Sequence, residues 1–324
     1  MISRPAAIAG DWGTSNLRLF LVDDEGRPLA TKPGPGAANV DAPFPGVLSA
    51  LVSDWQRDHG ELPIVLCGMV GSSIGWTQAP YVPCPADARQ IAARCVALEQ
   101  GRVRIVPGLS CTNRLDAPDV MRGEETQVIG ALQLDADLRR GTQLVCLPGT
   151  HTKWAVLNDG VIGDFLTAPA GEIYALLERH SVLVNDRPRG QPPAPQSGMG
   201  AAEPGDGAAF ARALQVVRRS PQADLLQRIF QCRSRRLSND LAPQDASAFM
   251  SGLVIGSDAH AALRLMAPRA DSTVHVVGTP QLTRLYAMAL SAFGATPREI
   301  DGEAAALAGL MQVHRSSRNP GDGT

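Results

Sequence analysis

Lysine is almost missing from this chain of 324 residues: the 30 basic positions hold only Lys32 and Lys153, and the other 28 are arginine. The bias reads mostly as a signature of GC-rich coding, yet it restricts chemistry. A Walker-type phosphate loop needs Gly-Lys-Ser/Thr, whereas Lys32 precedes Pro33 and Lys153 precedes Trp154, so none exists. The Val-Ala-Ile-Lys strand of protein kinases is absent too. A Gly-x-Gly-x-x-Gly fingerprint also fails, since Gly34-x-Gly36 meets Asn39, Gly198-x-Gly200 meets Glu203 and Gly205-x-Gly207 meets Phe210. The cysteines at 67, 84, 95, 111, 146 and 232 include no C-x-x-C pair, so they read as reduced thiols rather than a zinc site. No long apolar run or signal-peptide pattern occurs, which leads us to expect a cytoplasmic protein. A formal charge of −2 supplies no basic field for nucleic acid or anionic membrane, and neither partner is expected.

What is present is an ordinary globular composition, 44% hydrophobic and 19% charged, room for one large domain or two medium ones. An apolar strand from Ala6 to Gly10 runs into the turn Asp11-Trp12-Gly13-Thr14-Ser15-Asn16. Leu17, Leu19 and Leu21 then alternate at strand period, and Asp23 to Gly26 closes a hairpin. The same grammar returns at Gln143 to Phe165, with the turn Pro148-Gly149-Thr150-His151-Thr152 and a second tight turn at Asn158-Asp159-Gly160. This is an internal repeat of about 130 residues and predicts two related α/β domains. A third apolar strand, Thr273 to Val277, ends at Gly278-Thr279-Pro280 before helically spaced Leu282, Leu285, Tyr286, Ala289 and Leu290. Further helices are expected at 44–58, 87–100, 124–138, 171–179, 207–219, 225–231, 246–265 and 302–312. The Pro/Gly-rich stretch 186–206 reads as a mobile loop and 316–324 as a disordered tail.

Two turns that offer backbone N–H groups and hydroxyls can hold phosphate without a P-loop. Asp11 adds a carboxylate suited to magnesium through water, and Gly13 permits close backbone approach. The paired turns resemble those of sugar kinases of the hexokinase, actin and Hsp70 superfamily. More narrowly, the chain resembles the 2-dehydro-3-deoxygalactonokinase family. The stretches that carry this are Asp11 to Asn16, Cys67-Gly68-Met69-Val70-Gly71-Ser72 with Gly75-Trp76, Pro118 to Gln127, Leu147 to Trp154 and Ser251 to Gly256. The resemblance implies two duplicated ribonuclease-H-like (actin-like ATPase) domains around an ATP cleft. We divide the chain as 1–130, 131–300, a C-terminal helix 301–315 packing back toward the first lobe, and the tail.

It further implies that ATP phosphorylates the 6-hydroxyl of 2-dehydro-3-deoxy-D-galactonate, with Mg2+ as the companion ion. Nucleotide contacts are expected from Asp11, Gly13, Thr14, Ser15, Gly149, Thr150, His151, Thr152, Gly278 and Thr279, and the metal contact from Asp11. The second turn lacks the acid that the wider superfamily carries, which leaves magnesium to Asp11 and to acids elsewhere. A carboxylate must accept the hydroxyl proton. Asp119, Glu124 and Glu125, before or at a helix N-terminus, are the candidates, with Glu124 preferred; helix capping is the alternative role. Lys153 is the cation expected to meet phosphate charge. Met69, Ser72, Trp76, Tyr81 and Arg122 are expected to contact the sugar acid, Arg122 through its carboxylate, unless Trp76 and Tyr81 merely anchor their loop. Other readings are a kinase for another acid such as 2-dehydro-3-deoxygluconate, a Schiff-base aldolase using Lys153, and a non-catalytic sugar sensor. A homodimer is compatible with the sequence.

Overall fold

The structure, a computed structural model, describes residues 4–184, 207–269 and 271–318. The chain opens with β1 (Pro5–Trp12), β2 (Asn16–Asp23) and β3 (Pro28–Pro35), followed by α1 (Phe44–His59) and β4 (Ile64–Gly68). Next come β5 (Tyr81–Pro83), α2 (Ala88–Ala92), β6 (Val96–Leu98), β7 (Val103–Ile105), β8 (Gly108–Thr112), β9 (Pro118–Met121) and α3 (Glu124–Leu134). Then β10 (Thr142–Leu147), β11 (Thr152–Asn158), β12 (Val161–Ala168), α4 (Ala170–His180), α5 (Gly207–Arg219), α6 (Leu225–Leu237) and α7 (Ala246–Met266) follow. The chain closes with β13 (Thr273–Gly278), α8 (Pro280–Ala292), β14 (Thr296–Asp301) and α9 (Gly302–Arg318).

Two compact units result, one of residues 1–141, 157–165 and 302–324, the other of 142–156 and 166–301. A boundary at residue 130 would cut α3, and the first unit instead continues to Gly141. In the first unit a six-stranded sheet runs β3-β2-β1-β4-β7-β6. The antiparallel meander β1-β2-β3 is joined at β1 by parallel β4 and then by parallel β7. β3 carries Pro28, Pro33 and Pro35, tolerable because it is an edge strand. α1 applies Leu48, Val52 and Trp55 to a core that includes Ile8, Trp12, Leu17, Leu19, Ile64 and Leu66. A small sheet β5-β8-β9 stands beside these elements in the sequence of the same unit.

The second sheet repeats the path: the order is β12-β11-β10-β13-β14, with β10, β13 and β14 parallel. Both sheets therefore follow one plan, a hairpin-linked meander whose first strand takes two parallel strands on its other side. That shared plan is the duplicated α/β architecture of the actin-like ATPase fold. Leu144, Cys146, Trp154, Val156, Val274 and Val276 meet Phe210, Ile255, Tyr286 and Leu290 in the second unit's core. The all-round apolar α7 is its central helix, with Gly252 pressed so close to α5 that a Cβ would lie 2.7 Å from the Phe210 carbonyl oxygen.

The sequence reading departs from this in a few places. The helix expected at 87–100 ends at Ala92, because Val96–Leu98 pair antiparallel with β7 and tertiary pairing outweighs local helix preference. The helix expected to reach 138 stops at Leu134, while those expected to stop at 231 and 312 continue to Leu237 and Arg318. Residues 316–318, assigned to a tail, are the last part of α9. The loop assigned to 186–206 and the rest of the tail lie outside the described residues.

α9 packs on α3 within the first unit, backbone against backbone. A Cβ on Gly130 would sit 1.7 Å from the Ala305 carbonyl oxygen, and one on Gly309 would sit 1.9 Å from that of Thr126. Only glycine permits such a crossing. It fixes the start of α3, where two of the three candidate bases lie, and the start of α9.

Candidate functional site

In the first unit the turn between β1 and β2 is closed by Gly13 N–H donating to the Asn16 carbonyl at 2.9 Å. From outside, Ala37 and Ala38 N–H groups donate to the Gly13 and Thr14 carbonyls at 2.9 and 3.1 Å. With its carbonyls held, the turn exposes Thr14 and Ser15. Asp11 stands at its base, half-buried. Cys67 on β4 donates its thiol to Asp11 Oδ1 at 3.9 Å, and Arg18 Nη2 lies 3.8 Å from Oδ2. Arg18 in turn holds Glu303 of α9 at 2.6 Å. Burial raises the Asp11 pKa, and Arg18 and the Cys67 hydrogen bond only partly oppose this. Glu303 was missed by the sequence reading; it stands 285 residues from Arg18, and no local pattern connects them.

The three candidate bases differ sharply. Asp119 belongs to the β8–β9 hairpin, where it accepts from Asn113 Nδ2 at 3.1 Å and from the Val120 N–H at 2.9 Å. Those bonds give it a turn-holding role. Glu125 is wholly buried: Oε2 accepts from the Gly123 N–H at 2.7 Å and Oε1 from the Thr126 hydroxyl at 3.0 Å. Desolvation, reinforced by neighbouring Glu124, pushes its pKa up to about 8, so it carries a proton at neutral pH. Glu124 is half-exposed, and its Oε2 accepts from the Arg122 N–H at 3.0 Å.

Of the expected sugar contacts, three have contacts within the first unit itself. Met69 and Trp76 pack against the first unit's core, and Ser72 donates to the Met69 carbonyl at 2.7 Å. Tyr81 and Arg122 are instead brought together, the guanidinium lying 4.4 Å from the ring centroid. Arg122 Nη2 donates to the Ala79 carbonyl at 2.8 Å, yet Nε and Nη1 are buried with no partner among the described residues. Unpaired buried donors of a charged group are expensive, typically about 1–3 kcal/mol or more. This guanidinium has hydrogen bonds left to give.

In the second unit the β10–β11 turn is pinned by the start of α4. The Glu172 N–H donates to the Thr150 carbonyl at 3.0 Å, and the Glu172 carboxylate meets His151 Nε2 at 2.7 Å. Gly149 has open space where a Cβ would be, and Thr150 is exposed. Gly278 packs on Pro148, a Cβ there lying 3.3 Å from the Pro148 ring, which brings Gly278-Thr279 beside the same turn. Thr279 precedes α8 with no side-chain cap hydrogen bond among the described residues. One expectation is corrected. Thr152 does not face the turn, because strand alternation sends its hydroxyl into the core, 2.9 Å from Tyr286 Oη. Lys153, the cation expected to meet phosphate charge, lies on the other face of β11, where it is buried and donates Nζ to Thr167 Oγ1 at 2.9 Å.

Comparison with known proteins agrees with this picture along nearly the entire chain. The family model for 2-keto-3-deoxy-galactonokinase matches residues 11–313. A Rhizobium meliloti protein named "Probable 2-dehydro-3-deoxygalactonokinase" is 35% identical over 312 residues, 95% of this chain and 96% of that protein. The Escherichia coli 2-dehydro-3-deoxygalactonokinase is 32% identical over 313 residues, 96% of this chain and 98% of that one. A crystal structure of a Sinorhizobium meliloti protein, provisionally assigned as a 2-dehydro-3-deoxygalactonokinase, superposes with a TM-score of 0.80 at 34% identity, covering 98% and 99% of the two chains. With its paired turns and its α3 carboxylates inside the matched span, this chain belongs to the 2-keto-3-deoxy-galactonokinase family.

Proposed function

We propose that the protein transfers the γ-phosphoryl group of ATP to the 6-hydroxyl of 2-dehydro-3-deoxy-D-galactonate, giving the 6-phosphate and ADP. One observation carries the phosphotransfer reading: the same open turn recurs at the same place in both sheets, between β1 and β2 and between β10 and β11. Family membership supplies the substrate class, and Arg122 supports an acid, since a carboxylate satisfies the donors that the fold leaves unpaired. Tyr81 covers the face of that guanidinium.

Glu124 takes the proton of the sugar hydroxyl. It is the α3 carboxylate with exposure, and its Oε2 accepts from the Arg122 N–H at 3.0 Å. Glu125 keeps its proton and fixes the Gly123 N–H, so it orients the helix start. Each unit's turn by itself offers donors to phosphate oxygens: Thr14 and Ser15 in the first, and Gly149, Thr150 and the α8 N-terminus in the second. Gly278 and Thr279 stand where the nucleoside follows.

Asp11 fits a magnesium ion. This metal is commonly held by one or two carboxylates together with water and substrate phosphates, and a cation offsets the charge that burial penalises at Asp11. Among the described residues no cluster of three or more His, Cys, Asp or Glu could cage a metal. When bound, the ion neutralises phosphate charge. We place the reaction in galactonate breakdown in the cytoplasm, which the six free cysteines suit.

The decisive test is ADP release with 2-dehydro-3-deoxygalactonate, its gluconate epimer and glucose as separate acceptors. The galactonate derivative should give the highest kcat/KM. Activity confined to glucose overturns the assignment.

A further inference from the structure

The second unit holds a polar chain that links the two nucleotide turns, with Thr152, Trp154 and Tyr286 buried and Asp258 half-buried. Trp154 Nε1–H donates to Asp258 Oδ1 at 3.0 Å, and the Tyr286 hydroxyl donates to Asp258 Oδ2 at 2.7 Å. Because Tyr286 spends its hydrogen on Asp258, its oxygen accepts from the Thr152 hydroxyl, 2.9 Å away. Thr152 follows the β10–β11 turn directly, Tyr286 belongs to the helix that follows Gly278-Thr279, and Asp258 comes from α7. The surroundings are apolar, with Cys146 of β10 the other titratable group facing the carboxyl.

A hydrophobic side chain would fill such a core at less expense than a carboxyl group. What an apolar residue cannot do is fix Thr152 and Tyr286 relative to each other. We propose that Asp258, acting through Tyr286, is a positioning residue that holds the β10–β11 phosphate turn in register with the β13–α8 turn for nucleotide binding. Pro148 against Gly278 ties the turns at their tips, and Thr152 to Tyr286 ties them at their base. The inference rests on the nucleotide role proposed above and adds the element that aligns it.

The test uses Tyr286→Phe, Thr152→Val and their combination in the full chain, with ADP affinity measured by calorimetry beside steady-state kinetics. Each single variant should weaken ADP and raise the ATP KM about tenfold, while kcat and the sugar-acid KM stay within about twofold. The double variant should be no weaker than either single one. Asp258→Asn, which still accepts from Trp154 and meets Tyr286 through its amide, should bind ADP better than Asp258→Leu. Lowered thermal midpoints with unchanged ADP affinity and ATP KM would reduce the chain to a core contact and overturn the proposal. A wild-type protein that binds ADP but fails to phosphorylate the sugar acid removes the kinase assignment alone, and the ADP titrations still judge the network. Absence of ADP binding in the wild type overturns both.

Discussion

The guanidinium of Arg122 and the carboxyls of Glu124 and Glu125 lie within four consecutive residues and take three different environments. Arg122→Met removes the donors left for a substrate carboxylate. Charged hydrogen bonds of this kind contribute about 2 kcal/mol, so the sugar-acid KM should rise roughly 30-fold with the ATP KM unchanged. Arg122→Lys keeps the charge without the fork and should recover only part of that affinity. An unaltered sugar-acid KM in Arg122→Met would remove the residue from the substrate. For the carboxyls, Glu124→Gln should lower kcat by about a hundredfold or more, the usual yield of a positioned base. Glu125→Gln should leave kcat within a few-fold, because Glu125 is already neutral at pH 7 and its amide still accepts from the Gly123 N–H. The reverse pattern makes Glu125 the base. Sequence narrowed the choice to Asp119, Glu124 and Glu125 but could not separate them, since burial distinguishes Glu125 and hairpin bonding distinguishes Asp119.

Among the elements, α3 and α9 bear most directly on the site, since their crossing sets the start of both helices and brings Glu303 to Arg18. Gly309→Val forces the backbones apart. Overpacking of this sort costs about 1–3 kcal/mol and more where backbone must move, so a lowered denaturation midpoint should accompany reduced kcat. Gly46→Ala in α1 is the contrasting case: a Cβ there meets nothing within 4 Å, and replacing helix glycine should stabilise by some tenths to about 1 kcal/mol. Chemical denaturation of the two variants should give shifts of opposite sign. Long periodic elements such as α1, α7 and the meander strands were legible from side-chain spacing. β6 was not, because three residues carry too little pattern and only the pairing with β7 makes them a strand.

At the scale of the whole molecule, the duplication was legible because each sheet begins with the same strand, turn and strand. The groups around Asp11 were not, since Arg18 and Glu303 meet only after the last helix returns to the first unit. Each unit also carries a carboxyl whose pKa is raised by desolvation, and together these shape stability against pH. Glu125 is raised to about 8 and Asp258 to about 7, both chiefly by desolvation, so over the interval between ordinary carboxylate values and these values the folded state holds protons that the unfolded chain releases. Their stabilising contribution is therefore complete in acid and is lost as pH rises through 7 and 8, at roughly 1.4 kcal/mol per pH unit for each proton. His314 acts oppositely: burial and nearby arginines lower it to about 4, so its contribution is present above the ordinary histidine value and is lost as pH falls toward 4. Between pH 4 and 6.5 His314 offsets one of the two carboxyls, and above 6.5 nothing opposes them. The denaturation free energy should accordingly decline most steeply between about pH 6.5 and 8 and level off beyond. Glu125→Gln and Asp258→Asn should each flatten that decline by one proton's worth, and their combination should abolish it; a profile that stays level in the wild type would mean that neither carboxyl is held neutral by the fold.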